Sequence, residues 1–185
     1  MSRVVDGDTV ELEGGDVVRY LGLDTPELES PHHAAAASLN RRLAEGREAD
    51  LHVPEDGDRD RYGRILGSLH VALGPPATPA GEPLRVSEEL VRRGLAWVYR
   101  RSADSVPPDL LERLLDAQAD ALAARRGVWR GLGEISPRDL RATRLRLHRA
   151  RCEHIRGIRT RAVEDLEREL RLGKSPCRSC APLAR

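Results

Sequence analysis

Short apolar runs separated by polar turns occupy most of the first half of the chain. Residues 3–12 alternate apolar and polar side chains around an Asp-Gly-Asp step, with the two-residue period of a strand. Gly14-Gly15 is typical of a tight hairpin turn, and residues 17–22 are apolar enough to form the partner strand. The same pattern predicts three further short strands, over residues 49–53, 65–73 and 95–99.

Segments with leucine and alanine at helical spacing lie between and after these strands. An alanine-rich helix is predicted after Ser30-Pro31, and a short helix over residues 86–93. A longer helix is predicted over residues 109–125, and residues 74–83 form a flexible connection. Five strands and about three helices predict the α+β class, as a five-stranded OB-type β-barrel, whose face suits nucleic acid.

The composition changes near residues 131–137, where an arginine-rich stretch begins. Nine arginines and only two acidic residues lie between Arg138 and Arg161, either as a solvated helix face or as a patch that attracts phosphate. We therefore predict three parts: a barrel domain over residues 1–131, a linker with a basic helix over 132–145, and a small helical C-terminal module over 146–185.

Charge and hydropathy exclude some classes of protein. The 185 residues carry 31 basic and 30 acidic side chains, so the net charge of +1 indicates no particular partner. No apolar run approaches the length of a membrane span, and the first residues lack a signal-peptide pattern. We expect a cytoplasmic protein with no membrane partner, or a secreted or periplasmic one if the natural N-terminus is longer.

Polar side chains cluster at the ends of the first two predicted strands. Asp8 lies on the first strand and Arg19 on the second, and Asp24, Thr25 and Glu27 follow it. The hairpin turn would bring the two aspartates together, and two close carboxylates repel each other unless a cation or a proton intervenes. A hard divalent ion prefers such oxygen ligands, an arginine beside it can clamp a phosphate, and Glu27 can activate a water.

A second arginine completes this set of groups. Arg64 follows Gly63 in the sequence DRYGR, and a metal, a base and two cations together form a phosphoryl-transfer site. Each residue alone has a simpler interpretation: Asp8 as a turn residue and Arg19 as a strand arginine whose head reaches solvent. The combination favours the site.

Five segments of the sequence resemble the staphylococcal nuclease-like (thermonuclease) domain. VVDGDTVEL, VRYLGLDTPE, DRYGRILG, VSEELVRRGLAWVY and LLDAQADALAARRGVW occur in the family's order and cover about residues 3–130. The resemblance implies a five-stranded OB barrel with three helices and calcium-dependent hydrolysis of DNA and RNA. It also implies that Asp8 and Asp24 ligate Ca²⁺ and that Thr25 offers its backbone carbonyl to the ion.

The resemblance assigns the remaining roles as well. Glu27 matches the family's general base, and Arg19 and Arg64 match the two arginines that hold the scissile phosphate. Tyr62 resembles a family tyrosine near the bound nucleotide, and Tyr99 is the other candidate for stacking on a base. We expect single-stranded DNA or RNA to be the substrate and no obligate protein partner.

The three cysteines fall in the C-terminal module, and an odd number argues against a disulfide framework. A helix would place His148 and Cys152 on one face, and Cys177 with Cys180 forms a CxxC knuckle. These four residues are a known tetrahedral Zn²⁺ set. Residues 146–182 are similar to the zinc-binding module of the adaptive-response DNA-repair protein, with His148 in place of one cysteine; the alternative is a metal-free helical hairpin.

We thus expect a metal-dependent nuclease with little sequence specificity and a zinc-binding tail. A non-catalytic nucleic-acid-binding OB module with the same tail is the alternative. The intact set of acids and arginines argues for the enzyme, and it also argues against a third possibility, a barrel that serves as a scaffold for protein partners.

Overall fold

The computed structural model describes residues 1, 3–55, 59–72, 82–100, 106–180 and 182–183. The predicted flexible connection over residues 74–83 lies outside the described residues except for its last two positions. Among the described residues, none of the helices is both long and apolar enough to cross a bilayer.

Twelve short strands and four α-helices make up the regular structure of the described residues. The strands are β1 (Arg3–Val4), β2 (Thr9–Glu11), β3 (Val17–Tyr20), β4 (Leu23–Asp24), β5 (Ala49–His52), β6 (Ile65–Val71), β7 (Leu84–Arg85), β8 (Trp97–Val98), β9 (Leu140–Ala142), β10 (Arg146–Arg149), β11 (Arg161–Ala162) and β12 (Ser175–Pro176). The helices are α1 (His33–Ala44), α2 (Val86–Arg92), α3 (Pro108–Ala123) and α4 (Leu166–Arg171). This confirms the mixed α+β class, whereas closure of a five-stranded barrel remains a prediction.

The N-terminal sheet has the strand order β1-β2-β3-β6-β5, with β7 also paired to β6. Residues 3–12 form two strands rather than the single predicted one, because the chain turns at Asp6-Gly7-Asp8 and β1 pairs back on β2. The strand β2 runs antiparallel to β3, and β3 runs parallel to β6. A separate two-stranded sheet joins β4 to β8.

The core of this part lies between the sheet and the helices. Val10, Val18 and Leu69 of the sheet are fully buried and pack in one cluster with Leu90 of α2. Helix α3 buries Leu110, Leu114, Ala117 and Ala121, a three- and four-residue spacing that gives it one apolar face. This face packs α3 against α2 and β8.

The arginine-rich tail is a small sheet, not the predicted basic helix and helical module. Its four strands have the order β11-β9-β10-β12, and α4 is its one α-helix among the described residues. Leu140 and Ala142 are buried on either side of the half-exposed Arg141, which is the period of a strand. The density of arginine hid this two-residue alternation from the sequence interpretation.

A second apolar cluster joins the tail to α3. Ala121 and Leu122, in the last turns of α3, pack with Trp129, Leu147 and Leu170, all fully buried. The same helix therefore contributes to both cores of the chain.

Candidate functional site

The structure brings Asp8, Arg19 and Asp24 together in a buried cluster. Arg19 Nη2 lies 3.1 Å from Asp8 Oδ2 and 2.9 Å from Asp24 Oδ1. The side chains of Arg19, Asp8 and Asp24 are 9 %, 7 % and 1 % exposed. One guanidinium nitrogen thus sits between two carboxylates, at a position where a cation satisfies both.

Strand pairing produces this meeting. Thr9 of β2 faces Arg19 of β3, and the backbone N–H of Tyr20 donates to the carbonyl of Asp8 at 2.9 Å. Thr25 comes close enough to donate both its backbone N–H, at 3.1 Å, and its hydroxyl, at 2.8 Å, to Asp8 Oδ2. Gly7 allows this approach, because a Cβ there would lie 2.9 Å from Thr25 Oγ1.

A buried polar chain supports the turn that carries Asp8. The Tyr20 hydroxyl donates to Asn40 Oδ1 at 2.7 Å, and Asn40 Nδ2 donates to the carbonyl of Asp6 at 2.9 Å. Burial and the nearby charge of Asp8 raise the pKa of Asp6, whose Oδ1 accepts the backbone N–H of Asp8. Sequence reasoning missed Asn40; the available signal was an amide four residues after Ala36, at helical spacing on the alanine-rich helix.

Glu27 lies at the edge of this cluster beside an arginine from the tail. Its side chain is 54 % exposed, and its Oε1 lies 3.1 Å from Arg178 Nε. Arg178 also makes a two-point contact with Asp24: its Nε donates to Oδ2 at 2.8 Å, and its Nη2 donates to Oδ1. These hydrogen bonds, together with the charges of Asp24 and Glu27, raise the pKa of Arg178.

Arg64 makes its described contacts with a different acid, Asp60. The guanidinium donates to Asp60 Oδ2 from Nε at 2.9 Å and from Nη2 at 2.7 Å. Burial opposes ionisation of Asp60, but the hydrogen bonds from Arg64 outweigh it and lower the pKa of this carboxyl. Arg64 precedes β6 by one residue, and the second residue of that strand, Leu66, pairs with Arg19 of β3.

The two tyrosines predicted to bind substrate lie in different surroundings. Tyr62 is 65 % exposed, and the guanidinium carbons of Arg61 and Arg64 lie 4.7 and 5.3 Å from its ring centroid. The Tyr99 hydroxyl accepts a 2.6 Å hydrogen bond from Arg146, and the guanidinium of Arg178 lies 5.8 Å from its ring centroid. Tyr62 therefore presents the more open aromatic surface.

The His and Cys residues of the tail converge as the sequence spacing predicts, although not on a helix. One ligand atom each from His148, Cys152, Cys177 and Cys180 lies within 4.8 Å of the others. Parallel pairing of β10 with β12 sets Leu147 opposite Pro176. His148 follows Leu147 on β10 and Cys177 comes directly after β12, so the two residues lie side by side at the cluster. Cys152 follows the turn after β10.

Two of these four residues, His148 and Cys177, present donor atoms that are suited to a cation. His148 Nδ1 is buried without a hydrogen-bond partner among the described residues. Burial raises the pKa of a thiol, but backbone N–H groups of Cys180 and Ser179 donate to Cys177 and hold its pKa below the usual value. Burial raises the pKa of Cys180 to about 12, against a hydrogen bond from the backbone of Arg149.

Comparison with known proteins identifies the family. The family model described as "Staphylococcal nuclease homologue" matches residues 17–131, a span that contains Arg19, Asp24, Thr25, Glu27 and Arg64. The chain belongs to the staphylococcal nuclease family. The match ends before the His and Cys residues of the tail.

Relatives of this nuclease homologue carry endonuclease names. This chain is 30% identical over 139 residues to an "Uncharacterized endonuclease" of Escherichia coli, and the aligned region covers 73% of this chain and 78% of the relative. It is 28% identical over 150 residues to "Endonuclease YncB" of Bacillus subtilis (strain 168), covering 75% and 64%. A "Probable endonuclease LCL3" of Schizophyllum commune is 30% identical over 121 residues, covering 60% and 39%. The family and these names support a nuclease function.

Proposed function

We propose that the protein is a calcium-dependent nuclease that hydrolyses phosphodiester bonds of single-stranded DNA or RNA with little sequence preference. The observation that supports this most is the meeting of Asp8 and Asp24 on one positively charged atom of Arg19. Family membership and the endonuclease names of the relatives point the same way.

The residues present fit a hard divalent cation. Asp8 and Asp24 supply carboxylate oxygens, the ligands that Ca²⁺ prefers. The positive charges of Arg19 and Arg178 already pair with these carboxylates. When bound, the ion supplies positive charge to a phosphate oxygen and neutralises the group under attack. Thr25 would add its backbone carbonyl as a further ligand.

The side chains around this site can perform the remaining steps. Glu27 is exposed enough to accept a proton from a water that attacks phosphorus. Arg19 lies in the buried cluster and Arg64 just before the strand that pairs with β3, and both can donate to the phosphate oxygens as negative charge develops on them. The exposed ring of Tyr62 would hold bases by stacking, which tolerates any base, and Tyr99, next to the site, would do the same.

The test is cleavage of heat-denatured DNA with Ca²⁺ and with a chelator. Glu27→Gln and Arg64→Ala are each expected to lower turnover by about a hundredfold or more, because each removes a group that acts on the transition state. Glu13→Gln on the exposed hairpin turn and Arg42→Ala on the exposed side of α1 are the matched controls.

Circular dichroism must show that all four variants remain folded. Unchanged turnover in both Glu27→Gln and Arg64→Ala would refute the proposal. Binding of the DNA without cleavage by the unmodified chain would favour the non-catalytic binding module instead.

We also propose that His148, Cys152, Cys177 and Cys180 hold a structural Zn²⁺. One nitrogen and three sulfurs form a closed tetrahedral set, in which sulfur atoms about 2.3 Å from the metal lie about 3.8 Å apart. The observed spread of up to 4.8 Å and the unpartnered nitrogen of His148 support this.

Metal analysis of reduced, purified protein is expected to find about one zinc per chain. Cys177→Ser combined with Cys180→Ser should release it, whereas Ser179→Ala should retain it. Reduced protein without zinc would refute this part of the proposal.

A further inference from the structure

The contact between Arg178 and Asp24 joins the tail to the proposed cation site. These residues are 154 positions apart in the chain, yet both oxygens of the Asp24 carboxylate accept hydrogen bonds from one guanidinium. Asp24 is almost fully buried, with its side chain 1 % exposed, whereas that of Arg178 is 45 % exposed. The tail thus reaches into the site from the solvent side.

This contact occupies the carboxylate that a divalent cation needs. Oδ1 of Asp24 also accepts from Arg19 at 2.9 Å, so both oxygens are engaged by positively charged donors. A two-point arginine–carboxylate pair is among the stronger hydrogen-bonded arrangements. A cation that ligates Asp24 must displace this guanidinium, since positive charges repel strongly at contact distance.

The backbone around Arg178 is held by the His and Cys cluster. Arg178 lies between Cys177 and Cys180, two of the four converging ligands, and the N–H of Cys177 donates to the carbonyl of Leu147 at 2.8 Å. A metal ion that binds both cysteines would fix the residue between them. The half-exposed side chain can still swing away without a backbone movement.

We infer that Arg178 is a further residue of the nuclease site, which the metal-binding knuckle delivers to Asp24 and which competes there with the divalent cation. The inference rests on the proposed function, because it needs a cation at Asp8 and Asp24. Zinc in the tail therefore weakens Ca²⁺ binding in the nuclease domain, and by reciprocity Ca²⁺ favours release of the Arg178 contact.

The size of the effect follows from competition. If the contact is formed in about nine molecules of ten, it raises the apparent Kd for Ca²⁺ about tenfold. Calorimetric titration of the zinc-loaded full chain with CaCl₂ is expected to show about tenfold tighter binding for Arg178→Gln than for the unmodified chain. Arg159→Ala is the matched control, because Arg159 is exposed and precedes β11, at the opposite edge of the tail sheet from β12.

A second titration tests the link to the tail. Removal of zinc by a selective chelator is expected to tighten Ca²⁺ binding to the unmodified chain toward the Arg178→Gln value, and to leave Arg178→Gln itself nearly unchanged. Zinc content and circular dichroism of each sample show that the variants are loaded and folded.

The outcomes separate this inference from the proposed function. Equal or weaker Ca²⁺ binding by Arg178→Gln overturns the inference, even if the chain cleaves DNA. Absence of Ca²⁺ binding in every sample overturns it together with the calcium site. Tighter Ca²⁺ binding by Arg178→Gln in a chain that cleaves no DNA supports the inference and refutes the nuclease proposal.

Discussion

Gln118 is the most informative position for testing how the two parts of the chain stabilise each other. It lies fully buried on α3, where its Oε1 accepts the backbone N–H of Val98 at 2.8 Å. Its Nε2 donates to the carbonyl of Leu170 at 2.6 Å. One amide therefore satisfies a strand of the nuclease domain and the last turn of the tail helix.

Gln118→Met removes both hydrogen bonds and nearly preserves the side-chain volume. The N–H of Val98 then has no partner, which costs about 1–3 kcal/mol, whereas the carbonyl of Leu170 still accepts the N–H of Gly173 at 2.9 Å, so the free energy of unfolding should fall by about 1–3 kcal/mol. The volume change adds little, because a swap of similar size in a packed region costs less than about 1.5 kcal/mol. Glu112→Met, an exposed position on the same helix, should stay within about 0.5 kcal/mol.

Urea unfolding of the zinc-loaded chain, followed by circular dichroism and tryptophan fluorescence, measures this loss. A lower midpoint at unchanged slope is the expected result. Trp129, buried in the second cluster, reports on the tail side of the helix. A loss below about 1 kcal/mol for Gln118→Met would show that neither backbone group depends on this amide, and would refute the reasoning.

Two other positions give sharp expectations. Burial, followed by the charge of His52, whose ring centroid lies 3.9 Å away, lowers the pKa of His70 to about 4. The unfolded chain therefore binds more protons than the folded chain below about pH 6.5. The free energy of unfolding should fall by roughly 1 kcal/mol between pH 6.5 and 4. His70→Gln should flatten that slope in urea titrations at both pH values, and a slope that persists would contradict the assignment. Gly94 has φ +68°, and a Cβ added there would overlap the carbonyl of Arg126. Gly94→Ala should therefore lower the free energy of unfolding by about 1–3 kcal/mol in thermal unfolding, whereas Gly133→Ala, in open space, should not. Equal effects of the two substitutions would contradict this.

The part of the site that the sequence could predict depends on local geometry. Gly14 and Gly15 both adopt positive φ, as the tight turn requires, and that turn sets the register of Arg19 against Thr9. Once this register is set, Asp8 and Asp24 lie at the same end of the strand pair. Two neighbouring strands and a turn are short-range features, so residue spacing alone was sufficient.

The parts that escaped prediction depend on distant contacts. Arg178 reaches Asp24 because β12 pairs with β10 and the second cluster attaches the tail to α3, and no local pattern encodes either event. Convergence of His148 with Cys152 was expected for the wrong reason, since His148 lies on β10 and Cys152 follows the turn after that strand, not the same helix face. The four candidate ligands were still identified, because a zinc set is defined by the residue types of its ligands more than by the helix or strand that carries them.

The charge of the assembled site argues that the proposed cation would serve substrate binding as well as the reaction. Asp8, Asp24 and Glu27 meet two guanidiniums, those of Arg19 and Arg178, and their formal charges leave one net negative charge. A phosphodiester is itself an anion, so this cluster repels it until a divalent cation arrives. Binding of one such ion, with release of the Arg178 guanidinium, brings the formal charge to zero and removes this repulsion. Calcium should therefore strengthen the affinity for uncleaved nucleic acid, an effect separable from turnover in Glu27→Gln, where the proposed base is absent but the cation ligands remain.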